Sequence, residues 1–251
     1  MSPDLRSPDF DVVVVHSSDL HMDHDYTARL HGGDGTAGLA AVLGAAERLA
    51  ANVVVLAGDS FDCHRLPLAL LDRAAQRICA APMPVVLLPG NHDPLVAEAV
   101  YARGALAQSA NLHVLGSGFD EAAQFPELDL EIWGRPHRNY DDMIPLERPR
   151  PRSTRWQIAM AHGHYTPVPD RSCRLRPSWL IGDAELAATG ADYIALGHWN
   201  RAAKVGPGRA YYSGSPEYAG TVNVVRLTPD GRVEVTRAAL DIAREPSAQE
   251  P

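Results

Sequence analysis

Cysteine is scarce in this sequence and has no pairing pattern: three residues in 251, Cys63, Cys79 and Cys173, an odd number with no CxxC spacing. That excludes a disulfide framework and a zinc knuckle, and reads as free thiols in a reducing compartment. No apolar run approaches the ~18 residues that span a bilayer, so no membrane partner is expected. The opening stretch MSPDLRSPDFD has neither the basic nor the apolar region of a secretion signal, which leaves a cytoplasmic location as the expectation. Positive charge is also short. Lys and Arg number 23 against 31 Asp and Glu, a formal net charge of −8. This argues against a general affinity for nucleic acid while leaving room for a local basic groove. Apolar residues at 45% and charged residues at 22% exclude disordered and collagen-like classes.

What is present is histidine, eleven of them, placed beside Asp, Asn and Gly. They follow apolar runs. Residues 12–15, 53–57 and 85–88 read as strands buried on both faces, with helices expected over 38–50 and 66–80 between them. A β-α-β-α-β order of this kind predicts a largely parallel sheet covered by helices. A helix over 94–107 and a strand over 112–115 complete the first half. The second half reads as strands at 128–133, 156–161, 193–196, 210–213, 221–227 and 233–237, the last two joined by a Thr228-Pro229-Asp230-Gly231 turn. One domain is expected over 1–243, with a polar, disordered tail at 244–251. The proline- and arginine-rich stretch 147–155 (ERPRPRSTR) reads first as a solvated connector and second as an anion contact.

Each early strand ends in a polar cluster: Ser18-Asp19-Leu20-His21, Gly58-Asp59-Ser60-Phe61-Asp62, and Gly90-Asn91-His92-Asp93. Two later strands run into His162-Gly163-His164 and Gly197-His198-Trp199-Asn200. In parallel α/β sheets the carboxyl ends of strands gather ligands, so these clusters should converge. Taken singly, each is explained by a turn or a hydrogen-bonded histidine. Five strand ends supplying only Asp, His and Asn point to a metal site, because clustered buried carboxylates repel unless cations join them.

In these residues the chain resembles the calcineurin-like metallophosphoesterase superfamily, from about residue 12 to 219. The resemblance implies a four-layer α/β/β/α sandwich with two facing mixed β-sheets. It also implies two divalent metal ions, Mn²⁺ favoured over Fe or Zn, that activate water against a phosphate ester. By motif, Asp19 and His21 would bind one ion, Asp59 would bridge both, and Asn91, His162 and His198 would bind the other. His92 would be the general acid that protonates the leaving alkoxide, with Asp62 orienting its ring and Asp93 as the alternative. His164 competes with His162, since two residues along an extended segment face the same side.

The last motif departs from the family pattern, with Asn200 where a second histidine is expected. An amide oxygen is a weaker donor than imidazole, so the ion held by Asp19 and His21 would be the more labile. Asn200 as a ligand would favour a hard ion such as Mn²⁺. The loop 23–35, with His24 and His31, is either a lid or a solvated loop, and Cys63 reads as packing.

GHWN followed by Tyr212-Ser213-Gly214-Ser215-Pro216-Glu217 is similar to the branch containing SbcD-type DNA-repair exonucleases, although a double-strand-break nuclease would want a basic groove, which only the stretch 147–155 offers. The expectation is hydrolysis of a phosphodiester, with nucleotides and nucleic acid as candidate partners. A metal-depleted, protein-binding scaffold is the competing class, and a DNA-repair exonuclease is the second.

Overall fold

The computed structural model describes residues 8–23, 25–117, 121–172 and 177–242. Strand β1 (Val12–Ser17) leads through a short α1 (Tyr26–Leu30) to α2 (Ala37–Arg48), β2 (Val53–Ala57), α3 (Leu68–Ala80), β3 (Val85–Leu88) and β4 (Leu112–Val114). Then come β5 (Ala122–Phe125), β6 (Leu130–Gly134), β7 (Trp156–His162), β8 (His164–Tyr165), β9 (Leu180–Ile181), α4 (Asp183–Ala188) and β10 (Tyr193–Gly197). The chain ends in β11 (Ala203–Val205), β12 (Ala210–Tyr212), α5 (Pro216–Ala219), β13 (Thr221–Leu227) and β14 (Val233–Ala239).

Two mixed six-stranded sheets result, in the orders β14-β13-β1-β2-β3-β4 and β11-β12-β10-β7-β6-β5, with β8 and β9 as a separate pair. In the first sheet β1, β2, β3 and β4 run parallel; in the second β6, β7, β10 and β12 do. The period of two along each strand sorts the apolar residues into layers. Val12, Val14, Val53 and Val55 face Ile158, Met160 and Tyr193 of the second sheet. Val13, Val15, Val54 and Leu56 pack under Leu39 and Val42 of α2 and Leu71 and Ile78 of α3. Burying each such side chain contributes about 1.5–3 kcal/mol, and a one-residue slip would expose the whole row, so register is fixed. The outer face of the second sheet carries Ala159, Ala161, Ile194 and Leu196 under Leu146, Ile181 and Leu186. The expected α/β/β/α layering is present, but its fourth layer is thin, with the six-residue α4 and loops in place of long helices.

Three expectations are corrected. Residues 94–107 form no α-helix but two 3-10 segments, Val100–Ala102 and Gly104–Gln108. Gly104 sits at φ +56, and Asp72 takes the Ala105 N–H at 2.8 Å, so the helical ladder cannot run through. The strand expected from 128 starts at Leu130, because Pro126–Leu128 winds a 3-10 turn closed by Asp129 at φ 47. Edge strands β5 and β11 and the pair β8–β9 were not expected; each has four residues or fewer, too short for a period to register. Cys63 is half-buried and Cys79 exposed, both free thiols. Cys173, His24 and the tail from 244 lie outside the described residues. No described helix is long and apolar enough to cross a membrane.

Candidate metal centre

Past the end of β1 and β2 the backbone ladder continues without strand geometry. Asp19, His21 and Met22 donate their N–H groups to the carbonyls of Gly58, Asp59 and Ser60, each at 3.0 Å. Holding the two loops this close turns side chains out of the ladder. Asp19, His21, Asp59 and His198 take φ of 55, 43, 50 and 105, four of the seven non-glycine residues with positive φ among those described. Such conformations cost about 1–3 kcal/mol each and persist only where the surroundings enforce them. Gly58, at φ +90, is required by contact as well as by conformation: a Cβ there would lie 2.1 Å from His162 Nδ1.

The parallel strands of the two sheets bring their carboxyl ends together at one edge of the sandwich. His162, at the end of β7, is fully buried and crosses between sheets. Its Nδ1 lies 2.8 Å from the Ala57 carbonyl at the end of β2. A carbonyl only accepts, so Nδ1 carries the hydrogen and Nε2 is the atom turned to the cleft. That Nε2 sits 3.1 Å from Asp59 Oδ2 and 3.1 Å from Asn91 Oδ1. His21 Nε2 approaches Asp59 Oδ2 from the other side at 3.9 Å. His198 donates its backbone N–H to both Asp19 oxygens, at 2.9 and 3.1 Å, and His92 donates its own to Asp59 Oδ1 at 2.9 Å.

Among the described residues three groups of donor atoms each converge within 4.8 Å: Asp19, His21 and Asp59; Asp59, His162 and His198; and His21, Asp62 and His92. The first two share Asp59. Carboxylate oxygen and imidazole nitrogen in this proportion suit borderline divalent ions. The buried acids show the strain of one another's company. Burial, opposed by His162 and reinforced by Asp59, lifts Asp19 to about 6. Burial also works to raise Asp59, but His162, His21 and His92 outweigh it and hold that carboxyl below its ordinary range. Burial would lower His162; Asp59 overrides it and raises the ring to about 10. His198, buried and beside His162, is lowered to about 4.

His92 stands at the open rim. Its Nδ1 is 3.1 Å from the Asp62 carbonyl and 3.5 Å from Asp62 Oδ1, and its ring meets His21 edge-on at 4.7 Å. Asp93 does not face that ring: its fully buried carboxylate accepts the N–H groups of Gly90 and Phe61 at 2.8 and 2.9 Å, clasping the loops after β3 and β2. His164 lies outside all three donor groups, and its Nδ1 accepts the Trp199 indole N–H at 3.1 Å. Asn200 is exposed, and its backbone carbonyl accepts the Ser215 N–H at 3.3 Å. His31 does not hang over the cleft; its ring is buried against Glu217 of α5 at 2.9 Å.

One histidine at the site was not expected from the sequence. His137 is fully buried, donates Nε2–H to the His162 carbonyl at 2.9 Å, and stacks edge-on against His162 and Trp179. Burial and neighbouring His162 lower it to about 4. It follows β6 in Gly134-Arg135-Pro136-His137, a polar strand end like the others but hidden behind a proline and with no partner residue to mark it.

The sequence pattern of the calcineurin-like phosphoesterase family matches residues 12–202. No curated protein matches the chain by sequence. Among solved structures, TT1561 of Thermus thermophilus aligns with 90% of this chain and 98% of its own at a TM-score of 0.54 and 10% identity. A second aligns with 90% of this chain and 99% of its own at the same TM-score and identity. Identity that low carries the fold alone.

Proposed function

The chain belongs to the calcineurin-like phosphoesterase family, and we propose that it hydrolyses a phosphodiester, with nucleotides or short nucleic acids as substrates and two divalent ions, Mn²⁺ favoured, as cofactors. The observation that carries this reading is the pair of donor groups sharing Asp59. Asp19, His21 and Asp59 would hold one ion; Asp59, Asn91, His162 and His198 would hold the other. Asn200, which is exposed, would serve the first ion only through its amide oxygen. Ions bound there would supply Lewis acidity to the phosphoryl oxygens and a water ionised near neutral pH.

The protein's own groups do the rest. The Ala57 carbonyl fixes the tautomer of His162, and the His198 N–H fixes Asp19, so the ligand atoms are oriented before any cation arrives. His92, half-exposed and backed by Asp62, is placed to give its proton to the leaving oxygen. Similarity of the GHWN and SGSPE segments to SbcD-type nucleases supports a nucleotide chain as the substrate.

The test is metal analysis together with hydrolysis of bis(p-nitrophenyl) phosphate in added Mn²⁺. The expected result is close to two ions per chain and turnover that falls at least about 100-fold in Asp59→Asn. Absence of turnover with every divalent ion tried, or an Asp59→Asn variant as active as the parent, would sink the enzyme reading in favour of a scaffold.

A further inference from the structure

The segment that carries His137 also carries Arg135 and Arg138, one on each side of it. The connector 147–155 brings Arg148 and Arg150 to the same place. With Trp133 and Glu121, these four arginines line a cavity of about 410 Å³ on the outer side of the second sheet. That is within the range of about 300–1,000 Å³ typical of small-molecule sites.

Four of the eight lining residues are arginines; Glu121, Trp133, Pro149 and Pro151 make up the rest. Arg135 uses Nη1 on Glu147 and the Ile144 carbonyl, Arg138 uses Nη2 on Glu121, and Arg150 uses Nε on Glu131. In each hydrogen-bonded set other N–H groups of the fork are left over. Arg148 is 84% exposed on its side chain, and the nearest carboxylate, on Glu147, is 3.9 Å away. Trp133, only 3% exposed, closes the cavity on the side of the sheet. Glu121, the lining carboxylate, is already engaged by Arg138. Planar guanidinium forks gathered around one cavity fit a multi-oxygen anion, and phosphate above all.

The segment that supplies two of the lining arginines also reaches the metal centre. His137, between Arg135 and Arg138, donates to the carbonyl of His162. We propose that the cavity binds a second, uncleaved phosphate of the substrate, so that the preferred substrate is a nucleotide chain with a phosphate beyond the scissile one. This rests on the phosphoesterase reading given above.

Arg148→Ala tests it in the full-length, Mn²⁺-loaded protein. Arg148 is solvent-exposed, so its removal leaves folding intact, and the melting temperature checks this. A thymidine dinucleotide with a 5′-phosphate is compared with the same dinucleotide lacking it and with bis(p-nitrophenyl) phosphate. The wild type should favour the phosphorylated dinucleotide. Arg148→Ala should lower its kcat/KM about tenfold, mostly through KM, and leave bis(p-nitrophenyl) phosphate unchanged. Equal use of the two dinucleotides by wild type and variant alike would overturn the proposal. So would inorganic phosphate that quenches tryptophan fluorescence through Arg148 without competing with the phosphorylated dinucleotide, which marks an independent anion site. Calorimetric binding of that dinucleotide needs no turnover and separates the two readings. Equal affinity for wild type and Arg148→Ala defeats the cavity; absence of all hydrolysis defeats the phosphoesterase.

Discussion

Asp19 and Asp59 bring carboxylate oxygens within 4.8 Å of one another, and their surroundings push them in opposite directions, Asp19 up to about 6 and Asp59 down. Groups separated in this way take different tasks: Asp59 stays an anion against His162, while Asp19 is held by the His198 N–H. His92 differs from both, because it is half-exposed and touches the shared carboxylate only through its backbone. Replacing it should therefore leave the ligands in place. His92→Gln is expected to retain its metal content and lose about 10²- to 10⁴-fold in kcat on a dinucleotide, whose alkoxide leaving group needs a proton. The loss should be far smaller on bis(p-nitrophenyl) phosphate, whose phenolate leaves unaided. Equal losses on the two substrates, read by steady-state kinetics with metal analysis, would remove His92 from the acid's role.

Strand ends set how much of the site could be read in advance. β1, β2 and β3 are runs of Val and Leu, and each terminates abruptly in Asp, Asn or His, so both the strands and the donor side chains that gather at their ends were legible. β7 and β10 behaved likewise. His162 and His164 could not be told apart by alternation. The structure separates them because the chain after Gly163 leaves the second sheet to pair with β9, carrying His164 toward Trp199. The short edge strands carried too few residues for a pattern, and His137 had no motif around it. Glycine at position 58, just past the end of β2, is required because the chain turns there under the His162 ring. Gly58→Ala would put a methyl 2.1 Å from Nδ1 at φ +90. The strained backbone alone should cost about 1–3 kcal/mol, so a lowered melting temperature and a loss of turnover are both expected. A variant as stable and as active as the parent would mean that the ring does not lie over this turn.

At the scale of the whole molecule the two sheets are joined by a polar contact inside an apolar interface. His16 continues the inner row of Val12 and Val14 on β1, and lies opposite Asn223 on β13. Asn223 Nδ2 donates to the Tyr193 hydroxyl of β10 at 3.1 Å, and that hydroxyl lies 2.8 Å from His16 Nδ1. Asn223 Nδ2, which only donates, also lies 3.4 Å from His16 Nδ1, so Nδ1 faces two donors, the amide and the hydroxyl, and accepts as a neutral imidazole. Burial agrees, lowering His16 from 6.5 to about 3. The consequence for stability has a definite sign. Below pH 6.5 the unfolded chain binds a proton that the folded ring refuses, so stability is lost as pH falls from 6.5 toward 3. The limiting rate is about 1.4 kcal/mol per pH unit. Asp19 works the other way between about 6 and its ordinary 3.8, because its folded form takes up a proton first. His137, His198 and Asp59 add contributions of their own in the acid range, so the wild-type slope is a sum of opposed terms and a variant is needed to isolate one. His16→Gln removes the titrating group while retaining a polar side chain. In chelator-treated protein, the urea midpoint should fall with acidification less steeply for His16→Gln than for the wild type, and the two curves should run parallel above about pH 7. Any constant offset reports packing and leaves the comparison intact, since the slope carries the result. Parallel curves throughout the acid range would show that the buried ring does not stay neutral between the sheets.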